Sequence, residues 1–458
     1  MIKTNIAKRK KIVIIGAGLA GLTLATELLD QGHEVVILEK NKYLGGRASN
    51  TKDKTTGDPV PIGPHIFMKG YHNFKRFLHK INAREAIVWE RNLFIELIYE
   101  GRHYQFRMTD IPTSLKSFPK ILSYPFLTLR DKITNLRIGF KIYFGNPVKF
   151  EKLDELNAYE YLVKNGVNEN SINKMWRFFV LSMLNVPLEF CSAAELCLLA
   201  KYWATVDHRE IGFAGAGLGD IYTIKAEEYI EKKGGSILRN SDVKEIVCDE
   251  NNVDSIKVKI NGETQTFKAD VYVSALNPIQ LRELFHKNIL VNDFFRSLNA
   301  FEPVPYISVN LWFDKKLSNK KFWALLNDSA TSKYLNLDFY DESNIYEPRK
   351  NKSYVASNII YSQAYKSMTD EEIVKETLKE VKVAFPKTKA KLIHYQVHRI
   401  PYVIYAPFPG MRKHKLPNKT PLGNFYLTGD WTNKNMTQSM EAAVESGYQC
   451  FEVMMNGK

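Results

Sequence analysis

Short apolar runs and amphipathic segments alternate at the start of the chain. The run Lys11-Ile-Val-Ile-Ile15 stops at Gly16, and an apolar-periodic segment that starts near Leu22 follows it. A second run rich in β-branched residues, Glu34-Val-Val-Ile-Leu38, comes next. This order predicts a strand, a tight turn, a helix and a second strand, which together make a βαβ unit.

The same patterns predict further helices and strands along the chain. Helices are expected roughly over 71–81 and 222–232, and residues 111–204 are expected to be largely helical, with prolines between the helices. Extended segments are expected over 236–238, 243–247, 270–275 and 424–428. Near the end, an apolar face at helical spacing predicts a C-terminal helix that Thr437 or Ser439 can cap.

Two segments indicate antiparallel sheet. Alternating apolar residues lead up to Asn261-Gly262, a pair that is typical of a type I′ hairpin turn. Residues Tyr306–Phe313 alternate strictly, which predicts a half-buried strand in a second sheet.

Composition and charge indicate a folded protein with two or three domains. The 458 residues are 45% hydrophobic, and aromatic residues at 12% favour a large apolar cavity or interface. With 64 basic against 50 acidic residues the formal charge is +14, which suits an anionic partner such as a membrane surface. The lysines are spread along the chain without a basic arm or motif, so we expect no nucleic-acid partner.

The cysteines and the N-terminus indicate a reduced, cytoplasmic setting. The four cysteines form no CxxC pair and no metal-ligand spacing, so we expect no metal site. Lys8-Arg-Lys-Lys11 before an apolar stretch mimics a signal peptide, but that stretch contains the glycine turn and Glu27. No apolar run reaches the length of about 18 residues that a transmembrane helix requires.

The first turn has the residue types that a dinucleotide pyrophosphate requires. Gly16 permits the sharp turn, Gly18 allows the backbone to approach the phosphates, and Gly21 allows helix and strand to pack closely. The helix N-terminus offers N–H groups to the phosphates. Glu39 ends the second strand, where a carboxylate can bind a ribose and would repel the 2′-phosphate of NADP. We therefore predict a dinucleotide site here.

Two further motifs extend this prediction. Gly45-Gly46 would allow close backbone approach and Arg47 would bind phosphate oxygens, although an ordinary surface turn explains these residues equally well. Gly429-Asp430, between a strand and the last helix, can return to the opening unit and place an aspartate beside the cofactor. A plain C-terminal packing helix is the alternative.

Together these motifs resemble the FAD-dependent amine oxidase and desaturase superfamily, especially plant-type phytoene and zeta-carotene desaturases and bacterial hydroxysqualene dehydroxylases. The resemblance also rests on stretches that appear in family order along nearly the whole chain: Gly63–Phe67, Glu231–Gly235, Asn310–Asp314 and Gly429–Thr432. It implies an α/β fold, in which a discontinuous Rossmann-type FAD-binding domain holds an inserted α+β substrate domain of the amine oxidase/desaturase type. The implied FAD-binding parts are 1–95, 211–300 and 396–458, with a helical substrate or membrane-facing region over 96–210 and a substrate-domain sheet over 301–395.

The resemblance also implies the contacts of an FAD cofactor. The glycine turn would hold the pyrophosphate, Glu39 the adenosine ribose and the Val243 backbone the adenine. Asp430 would bind the ribityl or phosphate region, and Met440 would direct backbone N–H groups to the flavin. The implied cofactor residues are Gly16, Ala17, Gly18, Leu19, Ala20, Gly21, Glu39, Lys40, Gly45, Gly46, Arg47, Gly63, Pro64, Val243, Gly429, Asp430, Ser439 and Met440.

The chain departs from the family pattern at two places. It reads Ser439-Met-Glu-Ala-Ala443 where the family reads Ser-Met-Glu-Gly-Ala, and Pro401-Tyr402-Val-Ile-Tyr405 where the desaturases read Pro-Arg-Ser-x-Tyr. His65, Tyr402 and Tyr405 are the candidates for lining the catalytic cavity at the flavin. Simple core packing is the alternative for the two tyrosines, and none of the three is expected to be a general base.

The expected function is an FAD-dependent oxidoreductase acting on a lipophilic isoprenoid or polyene-like substrate. Desaturation would transfer a hydride to flavin N5 and release a neighbouring proton, with positioning in an apolar tunnel doing most of the work. A quinone or oxygen would accept the electrons. The alternatives are a flavin amine oxidase, a reductive enzyme like the hydroxysqualene dehydroxylases, and a protein whose flavin is structural or which mainly binds lipid.

Residues 128–144 suggest a route for such a substrate. Leu129, Ile133, Leu136, Phe140 and Tyr143 form a stripe at helical spacing, with basic residues beside it. A basic amphipathic helix can lie on an anionic bilayer, whereas a domain helix would turn this stripe to its own core. The lipid-using family favours the membrane interpretation, and we expect a cytoplasmic protein that is peripheral on the inner face of the membrane in that case.

Overall fold

The computed structural model describes residues 9–91, 94–107, 126–205, 210–286, 289–326, 333–345 and 351–456. Residues 111–125 of the predicted helical stretch lie outside these ranges. Within them, no helix is long and apolar enough to cross a membrane.

Twenty strands occur in the described residues. In chain order they are β1 (Lys11–Ile15), β2 (Glu34–Leu38), β3 (Asn50–Lys52), β4 (Pro59–Pro61), β5 (Phe67–Met68), β6 (Ile87–Arg91), β7 (Phe94–Tyr99), β8 (Arg102–Arg107), β9 (Glu210–Ala214), β10 (Ser236–Leu238), β11 (Ser241–Cys248), β12 (Val253–Ile260), β13 (Glu263–Phe267), β14 (Val271–Ser274), β15 (Pro303–Phe313), β16 (Phe322–Leu325), β17 (Asp338–Asp341), β18 (Tyr354–Ile360), β19 (Leu392–Tyr405) and β20 (Phe425–Leu427).

Fourteen α-helices accompany these strands in the same ranges. They are α1 (Leu19–Asp30), α2 (His72–Lys80), α3 (Leu129–Tyr143), α4 (Pro147–Phe150), α5 (Ala158–Lys164), α6 (Glu169–Ser171), α7 (Arg177–Leu184), α8 (Ala193–Thr205), α9 (Thr223–Lys232), α10 (Pro278–Leu284), α11 (Asp293–Arg296), α12 (Glu342–Ile345), α13 (Asp370–Ala384) and α14 (Met440–Asn456).

A five-stranded parallel sheet with the order β10-β2-β1-β14-β20 is built from the beginning, the middle and the end of the chain. In β1, Val13 pairs with Val36 of β2 on one side and with Tyr272 of β14 on the other. At the far edge, Phe425 of β20 pairs with Tyr272. This sheet confirms the predicted α/β fold with a discontinuous Rossmann-type domain, while the segment boundaries stay a prediction.

The helices α1 and α14 pack closely against each other beside this sheet. A Cβ on Gly447 of α14 would lie only 2.8 Å from the Ala20 carbonyl oxygen of α1, so the two backbones meet here. The Ser439 hydroxyl accepts a hydrogen bond of 3.1 Å from the Ala442 N–H, which confirms Ser439 as the cap of α14. Glu441 accepts hydrogen bonds from the N–H groups of Asn73 and Phe74, so it caps α2.

A three-stranded antiparallel sheet, β11-β12-β13, contains the predicted hairpin. Asn261 and Gly262 both have positive φ angles, 52° and 94°, as a type I′ turn requires. Ile260 pairs with Glu263 across the turn. The prediction of this hairpin and its turn type is confirmed.

A seven-stranded sheet forms the second large layer, with the order β19-β15-β18-β17-β16-β7-β8. The predicted strand is present as β15, but the expectation that it is half-buried is wrong, since residues 306–313 are all buried. Ile307 packs on one face in a core cluster that includes Ile373 of α13. On the other face Trp312 donates a hydrogen bond of 2.7 Å to Asp58, so the chain covers both sides.

Helix α3 buries two polar and two apolar residues and leaves several other apolar residues exposed. The buried residues are Asp131, Asn135, Ile138 and Ile142, and Asp131 accepts hydrogen bonds from two asparagine side chains. Four apolar side chains on or just after α3 are exposed: Leu129 (69%), Ile133 (51%), Phe140 (37%) and Phe144 (68%). Of the predicted stripe, Leu129, Ile133 and Phe140 are therefore exposed, while Leu136 and Tyr143 are half-buried.

A buried ion network joins α8 to the segment that precedes β20. Glu195 accepts hydrogen bonds of 2.7 Å from Arg412 Nη1 and 3.0 Å from Lys415 Nζ, and all three side chains are almost fully buried. Burial by itself raises the pKa of Glu195, but Lys415 and Arg412 outweigh it, so the pKa is lowered and the carboxylate is charged.

We expect the substitution Glu195→Ala to lower the free energy of unfolding by about 3–5 kcal/mol, because it leaves two buried cations without their shared carboxylate. Urea denaturation followed by circular dichroism measures this loss. Glu155→Ala is the matched control, since Glu155 pairs with Lys413 at 3.0 Å on the surface. That change should cost less than about 1 kcal/mol, and equal losses for the two variants would contradict the expectation.

Candidate functional site

A cavity of about 1060 Å³ extends from the glycine turn after β1 to the helices around α3. We call its first part the glycine end, which is lined by Gly16, Gly18, Glu39, Gly45, Gly46, Arg47, Gly429 and Asp430. We call its second part the apolar chamber, which is lined by Ile142, Met175, Phe178, Phe179, Met183, Trp203 and Phe322. The polar glycine end and the apolar chamber thus belong to one continuous space.

The glycine turn leaves room beside the N-terminus of α1. Gly16 has a φ of 105°, which other residues rarely adopt. A Cβ on Gly21 would lie 2.2 Å from the Gly16 carbonyl oxygen, so α1 rests directly on the turn. A Cβ on Gly18, by contrast, would meet no atom within 4 Å. The open space at Gly18 is where a pyrophosphate could approach the backbone.

The second glycine pair packs against the first turn. The Gly45 N–H donates a 2.9 Å hydrogen bond to the Ala17 carbonyl oxygen, and Gly45 forms a β-bridge with Gly18. The buried Tyr222 hydroxyl donates to the Gly45 and Ala48 carbonyl oxygens and thereby fixes this loop. The Gly45-Gly46 loop is therefore a packed wall of the cavity, which the surface-turn interpretation does not explain.

Glu39 is buried at the end of β2 and lines the cavity. One carboxylate oxygen accepts a 2.9 Å hydrogen bond from the Ala17 N–H, and the other accepts bonds from the backbone and side chain of Asn41. These bonds hold the carboxylate toward the turn. Lys40 and Val243 line the cavity nearby, as a ribose and adenine pocket would require.

Arg47 joins the N-terminal and C-terminal motifs. Its Nη2 donates a 2.7 Å hydrogen bond to Asp430 Oδ1, and its Nη1 donates a 2.8 Å bond to the Val403 carbonyl oxygen. The guanidinium carbon lies 5.6 Å from the centre of the Tyr402 ring. Arg47, Tyr402 and Asp430 thus form one contact group on the cavity wall.

His65 lines the cavity, in a loop with Gly63 and Pro64. Its Nδ1 is 2.7 Å from the Gly63 carbonyl oxygen. Burial lowers the pKa of His65, and the Arg47 charge lowers it further, against the opposing effect of the Gly63 hydrogen bond. A neutral ring must place its proton on Nδ1 to donate to that carbonyl, so Nε2 is an acceptor.

The structure brings most of the predicted site residues together. Besides the residues already described, Leu19, Ala20, Ser439 and Met440 line the cavity. Ala17 and Gly21 do not line it but fix the turn from behind. Tyr405 also lies outside the lining: its side chain is buried at 1% exposure and its ring packs edge-on against Phe301. Tyr405 thus has the packing role that was the alternative for both tyrosines.

Sequence reasoning missed a polar cluster of four residues on the seven-stranded sheet, which we call the sheet cluster: Tyr306, Asp338, Tyr340 and Asn358. All four line the cavity. Asp338 accepts hydrogen bonds of 2.8 Å from Asn358 Nδ2 and 3.2 Å from the Tyr340 hydroxyl. Burial raises the pKa of Asp338 to about 7, and Asp338 forms no ion pair with any residue in the described ranges. The spacing of Asp338 and Tyr340 by two residues was the available signal, since a strand places both on one face.

The sequence profile described as flavin containing amine oxidoreductase matches residues 19–453 of the chain. The chain is 28% identical to 15-cis-phytoene desaturase of Synechococcus elongatus over 455 residues, which are 95% of this chain and 94% of that protein. It is 27% identical to zeta-carotene desaturase of Synechocystis over 97% of both chains.

A solved structure of a putrescine oxidase variant has a similar fold. It superposes with a TM-score of 0.76 over 98% of this chain and 99% of that one, at 15% sequence identity. This similarity concerns the fold alone. It extends over both the five-stranded parallel sheet and the seven-stranded sheet that carries the sheet cluster.

We expect Gly18→Ala and Gly21→Ala to have different effects. The methyl group that Gly18→Ala adds would enter open space, so the melting temperature of the apoprotein should not change. FAD affinity should fall at least about tenfold, because the pyrophosphate needs that space. Gly21→Ala places a Cβ against the Gly16 carbonyl oxygen and should lower the melting temperature even without FAD. Equilibrium titration with FAD and thermal denaturation measure both effects. Unchanged FAD affinity in Gly18→Ala would contradict this assignment.

Proposed function

Because the chain belongs to the flavin-containing amine oxidoreductase family, we propose that it is an FAD-dependent enzyme acting on an extended lipophilic substrate of the isoprenoid or polyene class. That it is a flavin-dependent oxidoreductase follows from the family. The identity of the flavin as FAD is supported by the glycine turn, by Glu39 and by the Val243 position, which together suit an adenine dinucleotide.

The continuity of the cavity is the observation that supports a lipophilic substrate most directly. The apolar chamber is walled by Met175, Phe178, Phe179, Met183 and Trp203 on the helical layer. It opens into the glycine end beside His65, without an intervening ion pair among the described residues. A long apolar molecule could therefore lie in the chamber with one segment against the flavin position.

The residues at the glycine end suit an FAD cofactor. Gly18 and the N-terminus of α1 would contact the pyrophosphate, Glu39 the ribose, and Asp430 the ribityl chain. When bound, FAD would supply the acceptor for a hydride, which carries the two electrons of the oxidation. The protein contributes position and water exclusion: the aromatic walls orient an apolar chain, and burial keeps the reacting region dry.

The relatives support desaturation as the reaction. The proteins that match nearly the whole chain are named 15-cis-phytoene desaturase and zeta-carotene desaturase. We propose that electrons leave to a quinone or to oxygen. Tyr402 stands where the desaturase motif has arginine, but its ring lies over the guanidinium of Arg47, so a cation remains at this wall.

Helix α3 supports a membrane surface as the source of substrate. Its exposed stripe contains Leu129, Ile133, Phe140 and Phe144, with Arg130, Arg137 and Lys141 exposed beside it. The inward side of the same helix lines the cavity through Asn135, Gly139 and Ile142. A lipid that enters past α3 would therefore reach the apolar chamber after crossing one helix thickness.

We expect an isoprenoid or polyene, but not a small amine, to bleach the flavin absorbance of the FAD-loaded protein under anaerobic conditions. Hydride loss from such a substrate reduces the flavin, and the apolar chamber offers little to hold a short polar amine. Spectra recorded during stepwise addition of phytoene, hydroxylated squalene and putrescine make the comparison.

The same titration separates the alternatives. Bleaching by putrescine alone would favour an amine oxidase. Reoxidation of a dithionite-reduced flavin by hydroxylated squalene would favour a reductive dehydroxylase. A flavin that responds to none of these compounds, nor to dithionite and light, would indicate a structural cofactor and overturn the proposal.

We expect the triple variant Leu129→Glu, Ile133→Glu and Phe144→Glu to lose vesicle binding. Three carboxylates in the stripe would remove its apolar contact and repel anionic lipid, so co-sedimentation with phosphatidylglycerol vesicles should fall at least about tenfold. Ile224→Glu on α9 is the matched control, because Ile224 is 53% exposed and Ile133 is 51% exposed. Equal sedimentation of all three proteins would exclude α3 as the membrane contact.

A further inference from the structure

The sheet cluster is a polar site in the wall of the cavity that also holds the apolar chamber. Its geometry is set by the backbone, because Asp338 of β17 pairs in register with Asn358 of β18, and Tyr306 of β15 pairs with Ile360 two residues further along β18. Asp338 and Asn358 are 6% and 3% exposed. Four polar side chains on three adjacent strands are thus presented to the same cavity.

Two of these side chains have unused hydrogen-bonding capacity. Asn358 donates to Asp338 through Nδ2, but its Oδ1 is buried and has no partner. A buried carbonyl oxygen without a donor costs free energy comparable to a lost hydrogen bond. The Tyr306 hydroxyl lines the cavity and makes no hydrogen bond to a residue in the described ranges. Because Asn358 Oδ1 has almost no accessible surface, the groups that the site offers to a ligand are the Tyr306 hydroxyl and the Asp338 carboxyl group.

The cluster lies next to the loop that carries His65. A Cβ on Gly63 would lie 3.3 Å from the Tyr306 hydroxyl oxygen, so this hydroxyl touches the Gly63-Pro64-His65 wall. A substrate group held by the cluster would consequently lie at the boundary between the apolar chamber and the glycine end, where the reacting part of the substrate is expected.

We propose that the sheet cluster binds a hydroxyl group of the substrate, so that this enzyme takes a hydroxylated isoprenoid in preference to the corresponding hydrocarbon; the inference rests on the proposed function. A hydroxyl can donate to the Asp338 carboxyl group and accept from the Tyr306 hydroxyl, and so uses both groups. A carbonyl or ether oxygen brings no hydrogen and cannot donate to Asp338. A hydrocarbon leaves the Tyr306 hydroxyl without a hydrogen-bond partner, which costs binding free energy.

The test compares two ligands that differ by one hydroxyl. The FAD-loaded protein is titrated anaerobically with geranylgeraniol and with the hydrocarbon that has a methyl group in place of its hydroxymethyl group. The two dissociation constants are measured from the change in flavin absorbance. We expect the alcohol to bind at least about tenfold more tightly than the hydrocarbon.

Substitutions assign this preference to the cluster. Tyr306→Phe removes one hydroxyl and Asn358→Leu removes, at similar volume, the amide that holds Asp338 in place, and each should reduce the ratio of the two constants to about threefold or less. Asn310→Leu is the matched control, since Asn310 is a buried asparagine of the neighbouring strand β15 that does not line the cavity. It should keep the wild-type ratio. If Asn358→Leu fails to fold, the measurement on Tyr306→Phe alone tests the inference.

Two outcomes overturn this inference alone. Equal binding of alcohol and hydrocarbon to the wild type would mean that water satisfies the cluster. Tighter binding of geranylgeranylamine than of the alcohol would mean that Asp338 selects a cation. If neither isoprenoid binds although FAD is present, the proposed function fails as well, so the two failures are distinguishable.

Discussion

Backbone contact between glycine positions is the constraint on which the rest of the site depends. α1 can pack on the turn after β1 only because Gly21 has no Cβ. A Cβ at this position would lie 2.2 Å from the Gly16 carbonyl oxygen. The Gly45 loop then hydrogen-bonds to Ala17 from the other side, and Tyr222 locks it in place. Each contact brings a backbone N–H or carbonyl to the wall of the cavity. The shape of the glycine end is thereby defined mainly by the main chain.

Two charged groups then connect this frame to distant parts of the chain. Arg47 reaches Asp430 and the Val403 carbonyl oxygen, which tie it to the last third of the sequence. Glu441 is part of α14, but its side chain caps the N-terminus of α2. Burial raises the pKa of Glu441, although hydrogen bonds from the Phe74 and Asn73 N–H groups lower it in part. Because such groups are costly to bury singly, each has a partner supplied by another segment. The cavity walls are held in register by these cross-connections.

The elements and the glycine turns that line the cavity were largely predictable because they depend on local patterns. The βαβ unit, the Asn261-Gly262 hairpin and the Ser439 cap follow from period and turn chemistry, and the structure confirms them. The burial of β15 was not predictable, because α13 and the N-terminal segment that cover it are distant in sequence. The sheet cluster was not predicted for the same reason, and the sequence did not decide between a cavity position and core packing for Tyr405. A residue's neighbours across a sheet are fixed by register, which a single sequence does not display.

The strand order of the parallel sheet has a consequence for how the protein is made. β20 pairs with β14, and α14 packs on α1, so residues beyond 425 complete a layer that begins at residue 11. During synthesis, apolar surface of the first βαβ unit stays exposed until β20 and α14 have been made, when almost the whole chain has left the ribosome. Truncation near the C-terminus would therefore leave an aggregation-prone N-terminal fragment, and flavin capture is a late event in the life of the nascent chain.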